Sequence, residues 1–121
     1  MRQFQSVLLP ARRGRGQRTR VRGAYDQPMA DLEVQYLQVQ TTTDSRAEAM
    51  ELSRAAVESR LAACAQVAGP VASMYWWDGA LERTEEWLVL LKLPADRYDE
   101  LAAFITERHS YDEPEIIALP I

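Results

Sequence analysis

The sequence predicts an α+β domain with the element order β-α-β-β-α-β, the split-βαβ or ferredoxin-like arrangement with an antiparallel sheet. Three observations predict it. A β-prone run, "VQYLQVQTT" (residues 34–42), gives way abruptly to helical periodicity. An Asp78-Gly79 pair sits in the middle of a long β-prone stretch, and both residues tolerate the positive φ of a type I′ hairpin turn. A second helical stretch begins at Pro94 and leads, past Pro114, to a short apolar run.

Taken in order, residues 34–42 are bounded by polar residues and read as the first strand. In "TDSRAEAMELSRAAVESRLAAC", Ser45 and Glu48 have capping-box spacing, so each side chain is placed to satisfy an orphan amide at a helix start. Ala49, Leu52, Ala56 and Ala63 fall on one stripe of that helix, with Glu51, Arg54 and Glu58 opposite. From Cys64 the chain is again β-prone, and Gly69-Pro70 requires a bend or bulge. A two-residue turn at Asp78-Gly79 pairs Trp77 with Ala80, Trp76 with Leu81 and Tyr75 with Glu82, in a long central hairpin from about Ala72 to Leu93. In "PADRYDELAAFITERH", Tyr98, Leu101, Ala102 and Ile105 share a helical face, and residues 115–119 form a short buried strand. This order places both helices on one face of the sheet. The other face is bare and needs a cover.

The chain has 121 residues, which suits one hydrophobic core. Its longest apolar run, "WLVLLKL", is interrupted by Lys92 and has a strand's length, so no membrane partner is expected. "SVLLP" is too short for the apolar core of a secretory signal. A single cysteine, Cys64, excludes an internal disulfide and fits a reducing compartment, so a cytoplasmic location is expected.

The net charge of −4 conceals a split: residues 1–22 carry seven arginines and no acid, so the remainder carries −11, the difference between −4 and +7. Residues 1–32 are expected to be a disordered, Arg-rich extension, with the folded domain over 33–121. The extension reads as a nucleic-acid arm, a transit peptide, or upstream sequence before a start at Met29; the third fits "MADLEVQYLQVQTT" opening directly into a strand. The acidic body itself lacks the basic aromatic sheet face that nucleic acid requires.

The elements "LAAC", "YWWDG" and "RHSYDEPEIIALPI", in that order, resemble the CutA divalent-cation-tolerance family over about Val34 to Ile121. The resemblance implies a ferredoxin-like subunit in a tight homotrimer, similar in architecture to the PII signalling proteins, with a role in divalent-metal tolerance and no established catalytic reaction. Chains of that family continue past "LP" with another strand segment and a helix, so the resemblance also implies a C-terminally shortened domain. The family's H-P-Y reads His109-Ser110-Tyr111 here, and Ala80 stands where a Lys is usual. Positions proposed as copper ligands in some members hold Gln40, Arg108 and His109.

Candidate residues follow from chemistry and resemblance together. Tyr75, Trp76, Trp77 and Trp87 are expected at the trimer interface; since Trp76 and Trp77 point to opposite strand faces, they cannot line one pocket. Metal candidates, for copper or another divalent cation held weakly, are Cys64, His109 and Glu115. From the residues alone Cys64 reads first as a buried filler, and His109 as a cap on the carbonyls of a helix end. Trp76, Glu82, Lys92 and Tyr111 are expected to line ligand clefts between subunits; Lys92 would reach an anion there or pair with Glu86. A rival reading is an enzyme using Cys64 or His109 in the same cleft, and another is a purely structural trimer that scaffolds partners.

Overall fold

The computed structural model of the chain describes residues 35–121. The expectations for residues 1–32, and for Val34 at the start of the first strand, lie outside the described residues. Within them the order is β1 (Tyr36–Thr43), α1 (Arg46–Glu58), β2 (Cys64–Trp77), β3 (Ala80–Pro94), α2 (Tyr98–Arg108, entered through a 3-10 turn at Ala95–Arg97) and β4 (Ile117–Pro120). The four strands form one antiparallel-paired sheet in the order β2-β3-β1-β4. This is the ferredoxin-like arrangement, with β1 and β2 parallel on either side of β3.

Side chains alternate along each strand, so pairing fixes which residues share a face. Leu37 and Val39 of β1, Val89, Leu91 and Leu93 of β3, and Ala118 of β4 are buried under the helices. From α1 the core receives Ala49, Leu52 and Ala56, and from α2 Tyr98, Leu101 and Ile105. Ala102 packs only partly against it.

α1 ends earlier than its periodicity suggests. Arg60 takes a left-handed conformation at φ 63°. Leu61 N–H then reaches back to Ala56 O at 3.1 Å, and Arg60 N–H to Val57 O at 3.0 Å. This pair of bonds is the Schellman closure, usually built on glycine. Leu61 and Ala56 are both buried and supply its apolar contact. Ala63, expected on the helical stripe, is therefore exposed and outside the helix, donating its N–H to Lys92 O. At the other end Ser45 accepts from Glu48 N–H at 3.1 Å, but the Glu48 carboxylate engages a distant loop instead of completing the reciprocal box.

The hairpin forms in the expected register, with Trp77 opposite Ala80, Trp76 opposite Leu81 and Tyr75 opposite Glu82, and with Asp78 and Gly79 at φ 49° and 78°. Between Ala68 and Val71 the register shifts by one residue. The consequence is large, because a one-residue slip exchanges the faces of a strand. Carried straight back from the tip, the register would set Cys64 against Leu93 on the helix face. The bulge sets it against Lys92 instead, and so turns Ala65 and Val67 inward against the core and Cys64 and Gln66 outward.

Gly69 is the residue that makes the bulge possible. It sits at φ 152°, and a Cβ there would lie 2.9 Å from Trp87 Cδ1 and 3.0 Å from Glu86 O. Trp87, expected at a subunit interface, is half-buried within the single chain, where it closes the end of the core against this glycine.

Two measurements test these points. Gly69→Ala, which combines backbone strain with a close contact, should lower stability by about 1–3 kcal/mol in urea titrations. Gly79→Ala, strained at φ 78° but with open space around it, should cost less. The reverse order would show that the bulge is not sterically constrained. The second concerns Tyr98, whose phenol is pushed up to about 12 by burial and then by the Asp99 carboxylate. The unfolded chain ionises first, near the ordinary value of 10.0. Stability from this group is therefore intact below about pH 10 and lost as pH rises towards about 12. Between about pH 9 and pH 11 the native chain should lose more stability than Tyr98→Phe; equal losses would refute the assignment.

Candidate functional site

Three surfaces carry the chemistry, and each is set by the strands beneath it. The first is a knot of polar groups where β1 ends and α2 runs out. The His109 N–H still closes α2 on Ile105 O. Its ring, however, does not cap helix carbonyls. It turns into the protein, fully buried, with Nε2 2.7 Å from Thr42 O and Nδ1 3.0 Å from the Tyr111 amide. An amide only donates, so Nδ1 is the acceptor and Nε2–H donates to the carbonyl. Both ring nitrogens are thus occupied by backbone.

Around this ring, Glu48 of α1 receives Ser110 N–H at 2.9 Å and Ser110 Oγ–H at 2.8 Å, with one oxygen 3.6 Å from His109 Nδ1. The Tyr111 ring stacks at a tilt on His109, centroids 4.8 Å apart. Its hydroxyl donates to the buried Glu86 carboxylate at 2.9 Å. These bonds tie α1, β1, α2 and β3 to the loop that leads into β4.

The second surface is the sheet face away from the helices. The strand pairing lays it out in rows. Leu119, Gln38, Lys92 and Cys64 form one row; Ile117, Gln40, Leu90 and Gln66 the next; Thr42, Leu88 and Ala68 the third. No helix among the described residues covers these rows. Cys64 is exposed, which removes the filler reading, and Lys92 is half-buried.

The third surface is the arm of the hairpin. β1 ends opposite Trp87, so residues 80–86 of β3 pair only with β2 and project as a two-stranded ribbon. Trp76 and Leu81 face each other across it and Met74 lies two residues along on the same face; they are 74%, 63% and 66% exposed. Tyr75 and Trp77 occupy the opposite face, as the alternation requires.

Measured against these surfaces, the expected groupings separate. Among the described residues no group of three His, Cys, Asp or Glu side chains could hold a metal ion, so Cys64, His109 and Glu115 do not meet within one chain. Glu82 lies in the arm and Lys92 in the body, ten residues apart along β3 or roughly 33 Å, too far to share one cleft of one chain. Lys92 and Glu86 are separated by roughly 20 Å on the same count and do not pair. Glu86 takes the Tyr111 hydroxyl instead.

Sequence reasoning passed over Glu48 as a tether and Glu86 as a buried acceptor. A carboxylate two residues ahead of Leu88, on the same face of an otherwise apolar strand, was the available signal for Glu86.

With this geometry in place, comparison with known proteins is direct. Residues 37–121 match the family model described as "CutA1 divalent ion tolerance protein". "Divalent-cation tolerance protein CutA" of Pectobacterium atrosepticum is 32% identical over 96 residues, covering 79% of this chain and 84% of that protein. "Protein CutA 1, chloroplastic" of rice is also 32% identical, over 83 residues, 69% of this chain. The match spans about half of the rice protein's length, 47%. Among solved structures, the divalent cation tolerance protein of Thermus thermophilus superposes with a TM-score of 0.69 at 35% identity, covering 71% of this chain and 84% of that one. The matched residues include every strand and helix described above except the first residue of β1, and the chain belongs to the CutA1 divalent ion tolerance family.

Proposed function

We propose that the chain works as a homotrimer and serves divalent-ion tolerance by taking up a metal ion, copper foremost, or a small ligand along the seams between subunits. The observation that carries this reading is the apolar arm. Met74, Trp76 and Leu81 stand exposed together on a projecting ribbon, and an isolated ribbon of this kind is marginal in water without a partner surface. A sister chain of matching shape supplies that surface, and the open sheet face beside it is covered by the same contact.

Seams also answer the separation of the candidate ligands. Cys64 is exposed and Glu115 half-buried, and among the described residues neither belongs to a group of three side chains able to hold a metal ion. A shared site completes the donor set across subunits, with Glu82 and Trp76 of an arm meeting Lys92 or Tyr111 of a neighbour's body. His109 joins such a set only by releasing Thr42 O or the Tyr111 amide, so Cys64 and carboxylates are its first members. A thiol favours soft copper over magnesium or calcium. The enzyme reading finds no support in the geometry, since the residue facing Cys64 is Lys92 rather than a histidine base. A single exposed thiol suits a reducing cytoplasm.

Light scattering and sedimentation at micromolar concentration should give a trimer. Trp76→Glu should weaken each seam by about 2 kcal/mol, roughly thirtyfold, releasing monomer. Copper should quench tryptophan fluorescence in the native protein and lose that effect in Cys64→Ser and Glu115→Gln. A folded single chain at micromolar concentration, or copper quenching that survives in the Trp76→Glu monomer, would sink the seam reading.

A further inference from the structure

α1 spends only one of its faces on the core. Ala49, Leu52 and Ala56 are buried against the sheet. Arg46, Met50, Ser53 and Val57 recur at the i, i+4, i+7, i+11 spacing of a second stripe. This stripe forms one wall of a groove of about 490 Å³. Ala65 and Val67, turned to this side of β2 by the bulge, form the other wall. Met50 and Val57 are 44% and 36% exposed, so the groove is apolar and open. It lies in the helix layer, across the sheet from the helix-free face, and no residue of the arm lines it. The seams proposed above do not use it.

Ser53 lines this groove at 8% exposure, and its hydroxyl oxygen is buried with no hydrogen-bond partner among the described residues. A helical hydroxyl commonly bonds back to a carbonyl of the preceding turn. Thr106 does so on Ala102 O at 2.8 Å in α2, and Ser59 on Ala56 O at 3.2 Å where α1 ends. Ser53 does not, and a buried hydroxyl left unpaired costs free energy that a bound polar group recovers. Charge adds a second pointer. Arg54 is held between Glu51 and Glu58, whereas Arg46 makes no ion pair with another described residue. Arg46 also opens α1, where a cation opposes the helix dipole and an anion is favoured. Seven residues, or roughly 10 Å along the axis, separate Arg46 from Ser53. Met50 lies between them, a flexible side chain able to move aside for a ligand.

We infer that the groove between α1 and β2 binds a small amphiphilic carboxylate. Its head sits at Arg46, its apolar body lies on Met50 and Val67, and a second polar group roughly 10 Å from the head pairs with the Ser53 hydroxyl. This goes beyond the seam reading and does not rest on it, since the two use opposite layers of the subunit.

The test is calorimetric titration of the full chain with decanoate, ω-hydroxydecanoate and the neutral decanediol, each below the concentration at which it aggregates. ω-Hydroxydecanoate should bind most tightly, because its hydroxyl reaches Ser53, and the diol least. Arg46→Glu should weaken both acids by about tenfold and leave the diol unchanged, with Arg46→Lys close to native. Ser53→Ala should erase the advantage of ω-hydroxydecanoate over decanoate. By removing an unpaired buried hydroxyl it should also raise the thermal midpoint of the free protein. Met50→Glu should abolish binding of all three. No heat from either acid, or acids and diol bound equally by native protein and Arg46→Glu, would overturn the site. A lower midpoint in Ser53→Ala would show its hydroxyl already satisfied and refute its role. Sedimentation keeps the two readings apart. If Met50→Glu splits the assembly and neither acid binds the native protein, the groove is a contact between copies and the ligand site is wrong. Acid binding by a protein that sediments as a single chain would keep the site and remove the trimer.

Discussion

A one-residue bulge at Gly69-Pro70 decides which side of the sheet the first five residues of β2 occupy, and through them what each face can do. With the bulge, Ala65 and Val67 join the core under α1, and Cys64 and Gln66 turn out beside Lys92 and Leu90. Without it, the same five residues would present Cys64 to the core and both apolar side chains to water. The energetic stake is the burial of two apolar side chains on one side against exposure of a thiol and an amide on the other. A glycine at which any Cβ would lie 3.0 Å from the Glu86 carbonyl oxygen is what permits the offset. Core composition, the uncovered rows and the neighbourhood of Lys92 all descend from that single irregularity.

The knot at His109 plays the matching part at the other edge of the sheet. β4 is only four residues long and pairs with β1 alone, so its ladder hydrogen bonds are few. It is held as much from its approach as from its pairing. Glu48 grips Ser110, His109 is anchored on Thr42, Tyr111 reaches Glu86, and Ile116 and Ala118 enter the core. Neutral histidine suits this place because one ring nitrogen donates and the other accepts, joining two stretches of backbone. The same engagement explains why a sole histidine, the natural first guess for a metal ligand, is committed to structure within the chain.

Local chemistry made much of the fold legible. The Asp-Gly pair announced the hairpin and its register, the Ser45 cap announced α1, and the switch between periods two and 3.6 separated strands from helices. What stayed hidden had no local signature. Arg60, a residue with no preference for positive φ, closes α1 where glycine would have marked the end. Gly69-Pro70 signalled an irregularity but not that its offset is one residue, which is the fact that assigns faces. The candidate site was less legible still. Whether Lys92 meets Gln38 or Cys64 depends on the offset between strands distant in sequence, whereas Glu86, six residues back on the same strand, is excluded by the rise of that strand alone. Trp87 shows the same limit: that its ring lies against Gly69 of the neighbouring strand has no signature in the residues around either one.

Charge separates the two ends of the molecule in a way that orders the remaining possibilities. Acids gather on the arm, at Glu82 and Glu85, and in the loop before β4, at Asp112, Glu113 and Glu115, whereas among the described residues the one charge on the paired sheet face between them is Lys92. Coulomb interactions over the roughly 20–30 Å between these zones are largely screened at physiological salt. Coupling between them would have to pass through packing, most directly along β3. That strand carries Glu82 in the arm, the buried Glu86 at its root and Lys92 in the body, and the bulge opposite Trp87 falls between the first two and the last. A change of arm position on association would act on this strand at the bulge, the place where its partner is least regular, and so reach the row of Lys92 through the backbone rather than through the field.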